Sequence, residues 1–185
     1  MDVTVNISNK YIETERLVLR PWKETDLDNL YEYASVEGVG EMAGWRHHAS
    51  KEVSRSILQS FMARNNVFAI VNKSNVKVIG SLGFHYSWAN DETKYANLRS
   101  KEIGFVISKD YWGQGLTVEA VKAVIDYCFN EVELDILTCG HFAANYQSKR
   151  VIEKCGFSFV GTSSFYSQQM EQIFDDNRYM LSRNR

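Results

Sequence analysis

The chain has 185 residues, of which 44% are hydrophobic and 24% charged, ordinary proportions for a soluble globular protein. Its length matches one domain with a core that is stable unaided, so we expect residues 1–185 to form a single domain. The formal net charge of −2 offers no basic surface for a nucleic acid, and no stretch approaches the roughly 18 apolar residues of a membrane span. The composition therefore argues against nucleic-acid-binding and membrane-spanning proteins.

The three cysteines and four histidines show no spacing typical of a metal site. Cys128, Cys139 and Cys155 are odd in number and contain no Cys-x-x-Cys motif, and no charged-then-apolar segment opens the chain. We therefore expect reduced thiols, a cytoplasmic location and no bound metal. Cys128 and Cys155 fall on apolar faces of predicted helices, whereas Cys139 ends a predicted strand.

In the first part of the chain, the pattern predicts a strand, two helices and a hairpin. The strand Leu17–Arg20 stops at the only proline of the chain. Thr25 and Asp28 form an acidic variant of a capping box ahead of the first helix, and the second helix opens near Ser50. Two strands at 67–71 and 76–86 flank turn-forming residues, and residues 87–100 are predicted to be a loop.

The second part alternates strands and helices more regularly. A strand at 102–108 leads through a glycine-containing loop into a helix with an apolar face, and a strand at 134–139 precedes a helix capped by Asn145 and ended by Gly156. Strands at 157–160 and 178–181 follow, with the acidic segment 171–176 predicted to be a solvated loop. This order predicts an α+β (mixed α/β) fold and not an alternating doubly wound one.

The glycine-containing loop carries the strongest chemical signal. Gly113 and Gly115 let the backbone turn tightly and leave its amides bare where a helix begins, which is an arrangement that attracts phosphate. A Walker loop is excluded because no Lys-Ser or Lys-Thr follows Gly115, and a dinucleotide fingerprint lacks its third glycine. The segment predicts a strand–loop–helix that holds a pyrophosphate, although a Gly-x-Gly alone equally suits a tight connection without a ligand.

Four ordered strings together resemble the GNAT superfamily of acyl-CoA-dependent N-acetyltransferases, and within it the branch of Rim-type ribosomal-protein N-terminal acetyltransferases. They are ETERLVLRPWKETDLDNLYEY, EIGFVIS, YWGQGLTVEA and NYQSKRVIEKCGF. The resemblance implies a single GNAT-like domain, a mixed, mostly antiparallel sheet of six to seven strands flanked by helices, and acetyl-CoA as the acyl donor. Trp112 and Thr117 depart from the family's usual loop pattern, Gln/Arg-x-x-Gly-x-Gly/Ala, when it is aligned on Gly115.

The resemblance also implies which residues bind the coenzyme. Main-chain amides around the loop hold its phosphates, the strand before the loop receives the pantetheine arm, and Asn145 with Ser148 contacts the pantetheine region. The implied set is Phe105, Val106, Ile107, Trp112, Gly113, Gln114, Gly115, Leu116, Thr117, Val118, Asn145 and Ser148.

Acetyl transfer to an amine needs a group that takes the amine proton and a donor for the leaving thiolate. Glu102, at the start of the strand before the loop, is one candidate base, and His141 is another because an imidazole titrates near neutral pH; a water chain is a third. The tyrosine that many family members use as the acid is replaced by Ile152, and in the Rim-type branch a serine at the position of Ser148 takes that role. Tyr146 is a weaker substitute.

The expected function is transfer of an acetyl group from acetyl-CoA to a primary amine in a ternary complex. The acceptor is a protein N-terminus or a small amine such as an amino acid, a polyamine or an aminoglycoside. Residues 45–48 fall in the region that lines the acceptor side in this family, although a solvated loop suits this segment equally well. Neither a nucleic acid nor a membrane is an expected partner, and the chain is a monomer or a homodimer. The alternative is a non-catalytic acyl-CoA-binding sensor or interaction module.

Overall fold

The computed structural model describes residues 1–183 and contains an eight-stranded sheet with two helices on each face. The strands are β1 (Ile12–Glu13), β2 (Leu17–Arg20), β3 (Val67–Asn72), β4 (Val78–His85), β5 (Ser100–Ile107), β6 (Ile136–Phe142), β7 (Ser158–Ser167) and β8 (Gln172–Ser182). The helices are α1 (Leu27–Ala34), α2 (Lys51–Arg64), α3 (Leu116–Asn130) and α4 (Tyr146–Lys154). The number of strands exceeds the predicted six to seven because β1, with only two residues, is too short to show a period in the sequence.

The strand order β1-β2-β3-β4-β5-β6-β8-β7 is antiparallel everywhere except between β5 and β6. Those two strands pair in parallel only from Ser100 to Glu102, opposite Ile136 to Thr138. Beyond Glu102, β5 stays paired with β4, and β6 stays paired with β8. The sheet therefore opens between its two central strands.

Two apolar layers cover the sheet. On one face, residues such as Ile70 and Ile103 pack with Val121 and Val124 of α3. On the other face, Ala69 and Val71 pack with residues of α1 and α2. All six residues of β3 are buried, as expected for a strand covered by helices on both sides. Within residues 1–183, no helix combines the length and apolarity that crossing a bilayer requires.

The prediction of a loop at 171–176 is wrong. Residues 172–176 belong to β8, where Asp175 and Asp176 pair with Ser164 and Ser163 of β7. Their polar side chains hide the strand from a period-2 analysis, because β7 leaves most of its side chains exposed and polar residues are tolerated there. The strand at 134–139 is also shifted, since β6 continues to Phe142 and includes His141.

The predicted capping box at Thr25 and Asp28 does not form. A short 3₁₀ turn, Glu24–Asp26, precedes α1, and the buried Asp26 carboxylate accepts from the Lys23 backbone N–H at 2.8 Å. It also accepts two hydrogen bonds from Arg20, at 2.7 and 2.8 Å, so the pair is bidentate. Asp28 is exposed and pairs with Lys51. The acid that organises this turn is therefore Asp26.

Replacing Asp26 by asparagine is expected to lower the free energy of unfolding by about 3 kcal/mol, because the Arg20 guanidinium stays buried without its counter-charge. Urea unfolding followed by circular dichroism measures the loss. The matched control is Glu32→Gln, which removes an exposed ion pair with Lys77 and is expected to cost no more than about 1 kcal/mol. Equal losses for the two variants would contradict the assignment.

Candidate active site

A first cavity of about 370 Å³ opens where β5, the glycine loop and α4 meet. The remaining side is closed by a segment that includes Val39, Met42 and Ala43. Most of the residues predicted to bind coenzyme line it: Phe105, Val106, Ile107, Trp112, Gly113, Gly115, Thr117, Val118, Asn145 and Ser148. Gln114 and Leu116 are not among the lining residues; the side-chain amide of Gln114 donates to the Asp110 carbonyl, and Leu116 is in the core.

The glycine loop presents a run of free amides next to this cavity. Among residues 1–183, the backbone N–H groups of residues 113–118 have no hydrogen-bond acceptor, and the first N–H bonded within α3 is that of Glu119, to the Gly115 carbonyl at 3.1 Å. Gly113 and Gly115 have φ values of +76° and +77°, which a residue with a Cβ adopts only with strain. Unpaired N–H groups at a helix N-terminus form an anion-binding site.

Contacts from outside the loop hold it in this shape. Arg16 donates to the Gln114 carbonyl at 3.0 Å and to the Glu119 carboxylate at 2.7 Å. Burial opposes ionisation of Glu119, but hydrogen bonds from Thr14 and Arg16 bring its pKa below the usual range. The Trp112 indole N–H donates to the Ile107 carbonyl at 3.0 Å. The Trp112 side chain thus stabilises the conformation of the loop, at a position where the family pattern has Gln or Arg.

A second cavity of about 330 Å³ adjoins the first. The two share Ala43, Phe105 and Val106, so they adjoin at β5. The rest of the second cavity combines aromatic and aliphatic side chains with a few polar groups: its lining includes Tyr33, Trp45, Phe61, Arg46, His48, His85 and Gln169. Two adjoining cavities can hold two substrates side by side.

Glu102 lies beside the second cavity, at the position where β5 and β6 separate. It faces the same side of the sheet as Gly104 and Val106, which line that cavity. Its carboxylate accepts from the Thr138 hydroxyl at 3.1 Å. Burial raises the pKa of Glu102 to about 7 despite this hydrogen bond, and the nearby charge of Asp176 adds to the rise while Arg178 opposes it. The carboxyl group can therefore exchange a proton near neutral pH.

His141, the other candidate base, lies on the opposite face of the sheet. Its Nδ1 is 2.8 Å from the Phe142 carbonyl oxygen and its Nε2 is 3.3 Å from the Tyr179 hydroxyl. The side chain is buried against Tyr179 and lines neither cavity. The structure does not bring His141 together with the other predicted site residues.

Asn145 and Ser148 meet at the start of α4. The Asn145 side chain accepts from the Ser148 backbone N–H at 3.0 Å and donates to the Met42 carbonyl at 3.1 Å, so it caps the helix and also fixes the segment that closes the first cavity. The Ser148 hydroxyl lines that cavity and has no hydrogen-bond partner within the described chain. Ile152 is fully buried, and Tyr146 is 70% exposed outside both cavities.

The sequence did not single out His85. Its Nε2 lies 3.2 Å from where a Cβ on Gly104 would be and 3.4 Å from the equivalent point on Gly83. These two glycines are paired across β4 and β5, and together they leave room for the imidazole over the sheet. The signal for this arrangement in the sequence was Gly83, two residues before His85, together with Gly104 in the next strand, with which Gly83 pairs.

The segment 45–48 lies only partly at the second cavity. Trp45, Arg46 and His48 line the second cavity, whereas the His47 ring is 2.8 Å from the Glu41 carboxylate and lies outside that lining. The His48 ring is hydrogen-bonded to the Ser54 hydroxyl at 2.7 Å. Adjacent histidines therefore differ in environment, which sequence alone does not reveal.

Residues 16–158 match the family model described as an acetyltransferase (GNAT) domain. The chain is 27% identical to the uncharacterized N-acetyltransferase YoaA of Bacillus subtilis over 179 residues, covering 94% of this chain and 97% of YoaA.

Among solved structures, a GNAT-family acetyltransferase from Bacillus anthracis superposes with a TM-score of 0.80 at 23% identity, covering 94% of this chain and 98% of the other. A putative ribosomal-protein-serine acetyltransferase from Vibrio cholerae superposes with a TM-score of 0.76 at 17% identity, with coverages of 95% and 99%. The acetyltransferase MccE, crystallised with acetyl-CoA and AMP, gives 0.76 at 17% identity, with coverages of 91% and 93%.

Proposed function

The chain belongs to the acetyltransferase (GNAT) family and is an N-acetyltransferase, and we propose that it moves the acetyl group of acetyl-CoA to a primary amine. The acceptor is a protein N-terminus or a small amine, and it attacks directly while both substrates are bound. The observation that carries this proposal is the contact between the two cavities at Phe105 and Val106, with the free amides of residues 113–118 at the first of them.

The residues of the first cavity fit the chemistry of coenzyme A. Six consecutive amides, at residues 113–118, suit the diphosphate, and the positive end of the α3 dipole adds to their attraction. Arg150 and Lys154 line the same cavity and supply positive charge. Phe105, Ile107 and Val118 offer apolar surface for the pantetheine arm. Bound acetyl-CoA supplies an activated thioester, and the protein supplies its position.

We propose that Glu102 takes the proton from the acceptor amine, directly or through a water. An amine attacks only when its lone pair is free, and a carboxyl group with a pKa of about 7 is ionised in a large fraction of molecules at neutral pH. Glu102 lies two residues, or about 7 Å along β5, from Gly104, which lines the second cavity, and four residues, or about 13 Å, from Val106, which the two cavities share. A chain of waters would carry the proton to Glu102 from an amine that lies at Val106.

Ser148 is the proposed proton donor to the leaving thiolate. Its free hydroxyl lines the first cavity three residues after the capping Asn145, which is the arrangement of the Rim-type branch. The fold is also similar to that of the putative ribosomal-protein-serine acetyltransferase. We therefore propose the Rim-type branch for the chain.

Replacing Ser148 by alanine is expected to reduce kcat about 100-fold, because proton donation is lost while the α4 cap, made by the Ser148 backbone N–H, remains. Stopped-flow measurement of CoA release gives kcat, and calorimetry gives the affinity for CoA. Ser148→Thr, which keeps a hydroxyl, is the control and should retain more activity. An alanine variant with wild-type kcat would exclude this role.

The overall proposal is tested by incubating the purified protein with acetyl-CoA and mixed libraries of amines and peptides. Mass spectrometry identifies any product that gains an acetyl group, and a thiol reagent measures the CoA released. Binding of acetyl-CoA without any acetylated product would instead favour the alternative of a non-catalytic acyl-CoA sensor.

A further inference from the structure

The second cavity has walls suited to an apolar molecule. Tyr33, Trp45, Phe61 and Phe105 contribute four aromatic rings, and they are joined by aliphatic side chains from α1, α2, β3 and β5. The aliphatic set is Leu30, Val53, Ile57, Val67 and Val106. At about 330 Å³, the cavity lies at the small end of the range for small-molecule sites. Its size and its walls suit a compact molecule with an apolar or aromatic body.

The polar groups of this cavity favour negative charge over positive charge. No aspartate or glutamate of the described chain is among its lining residues, and the nearby Glu102 is the proposed base. Burial and the neighbouring His47 lower the pKa of His48. Desolvation of the ring by the surrounding protein lowers the pKa of His85, and the positive charges of Lys101 and Arg64 add to this effect. Both imidazoles are therefore neutral at neutral pH, and they neither repel an ammonium group nor neutralise one.

Arg46 is the charged residue of the lining, and its guanidinium has no carboxylate partner within residues 1–183. Its position is fixed through its backbone, because the Arg46 N–H donates to the Gln169 side chain at 3.2 Å. The neighbouring Gly44 carbonyl accepts from the Ser167 hydroxyl at 2.8 Å. These bonds attach the backbone of the segment to the β7–β8 hairpin, and the exposed Arg46 side chain lines the cavity. A free guanidinium is the group best suited to bind a carboxylate in two-point fashion.

Resting on the proposed function, we infer that the acceptor is a small primary amine with an apolar or aromatic body and a carboxylate that Arg46 binds. The amine lies at the boundary formed by Ala43, Phe105 and Val106, within reach of the donor, and the body fills the aromatic part of the cavity. Polyamines and aminoglycosides are expected to be poor acceptors, because the lining offers no carboxylate to pair with their additional ammonium groups.

The test compares three amines that share a phenylethyl body and differ in charge, together with one polyamine. The probes are 2-phenylethylamine, L-phenylalanine, 4-(2-aminoethyl)benzoate and spermidine, each assayed with acetyl-CoA for release of free CoA. We expect at least one of the two carboxylate-bearing probes to exceed 2-phenylethylamine in kcat/KM by about 10-fold or more, and spermidine to be poorest. Arg46→Gln should abolish the preference, so that the carboxylate-bearing probes no longer exceed 2-phenylethylamine in kcat/KM when all are measured with that variant. The control is Arg55→Gln, at an exposed position of α2 outside the cavity.

The outcomes separate this inference from the proposed function. Turnover that is highest with spermidine, or a carboxylate preference that survives Arg46→Gln, overturns the acceptor class and leaves acetyl transfer standing. If no probe releases CoA, calorimetry in the presence of CoA decides the acceptor class. Binding of a carboxylate-bearing probe that Arg46→Gln abolishes supports the class while contradicting turnover, and no binding of any probe overturns the class.

Discussion

Replacing Glu102 by glutamine is expected to lower kcat/KM by 10² to 10⁴, roughly the usual contribution of a general base. Glutamine keeps the shape and can accept the Thr138 hydrogen bond, but it cannot take a proton from the amine. The affinity for CoA should be unchanged, because Glu102 lines neither cavity. The control is Glu24→Gln, an exposed acid ahead of α1. Wild-type turnover in the Glu102 variant would exclude the carboxylate as the base.

The same variant has an expected pH profile. A base acts in its ionised form, so wild-type kcat/KM should rise with pH and level off above about 7, where Glu102 is ionised. The glutamine variant should lose this rise of kcat/KM with pH.

The stability of the fold should change with pH in the opposite direction. The folded state holds the Glu102 proton more tightly than the unfolded state does. The contribution of protonated Glu102 to the free energy of unfolding is therefore complete below pH 4.5 and is lost as pH rises through about 7. Urea unfolding at pH 5 and pH 8 should therefore show the variant gaining stability, relative to the wild type, at the higher pH.

Replacing Thr117 by glutamate is expected to raise the dissociation constant for CoA about 100-fold or more relative to Thr117→Gln. Thr117 is the second residue of α3 and lines the first cavity, so a carboxylate there competes with the diphosphate for the free amides. The same charge interacts favourably with the helix dipole, so the thermal midpoint should stay equal or rise slightly. Calorimetry measures the affinity, and scanning calorimetry measures the midpoint.

The glutamine variant controls for bulk, since the two side chains have nearly the same size and differ in charge. Thr117 is preferable to Gly115 for this test, because Gly115 has a φ of +77° and any side chain there strains the loop itself. If the glutamate and glutamine variants bind CoA equally well, the diphosphate does not lie at these amides.

Much of the fold is visible in local patterns. The apolar period of α3, the Asn145 cap and the left-handed Gly156 at φ +89° depend on interactions within a few residues, and each was identified from the sequence. The free amides belong to the same category, since Gly113 and Gly115 set the backbone shape of the loop and the helix start sets the direction of the N–H groups. Four of the eight strands both begin and end within two residues of their predicted bounds, namely β2, β3, β4 and β5.

The elements that were missed depend on partners far along the chain. β8 accommodates its acidic run because β6 and β7 pair with its backbone, and β1 exists only as a partner of β2. The true acid at the start of α1 is Asp26 because the fold buries Arg20 beside it. Backbone pairing and burial of this kind leave little trace in residue spacing.

The sequence by itself determined that a strand, a glycine loop and a helix would offer bare amides to an anion, because that geometry follows from local backbone preferences. Only the tertiary structure decided that Glu102 lies on the side of the sheet that carries the second cavity, while His141 lies on the opposite side. The side on which a strand residue points depends on how the sheet is covered. The tertiary structure also decided that Arg46 and His85 reach one cavity from segments about 40 residues apart, because a shared cavity is a property of packing and not of spacing.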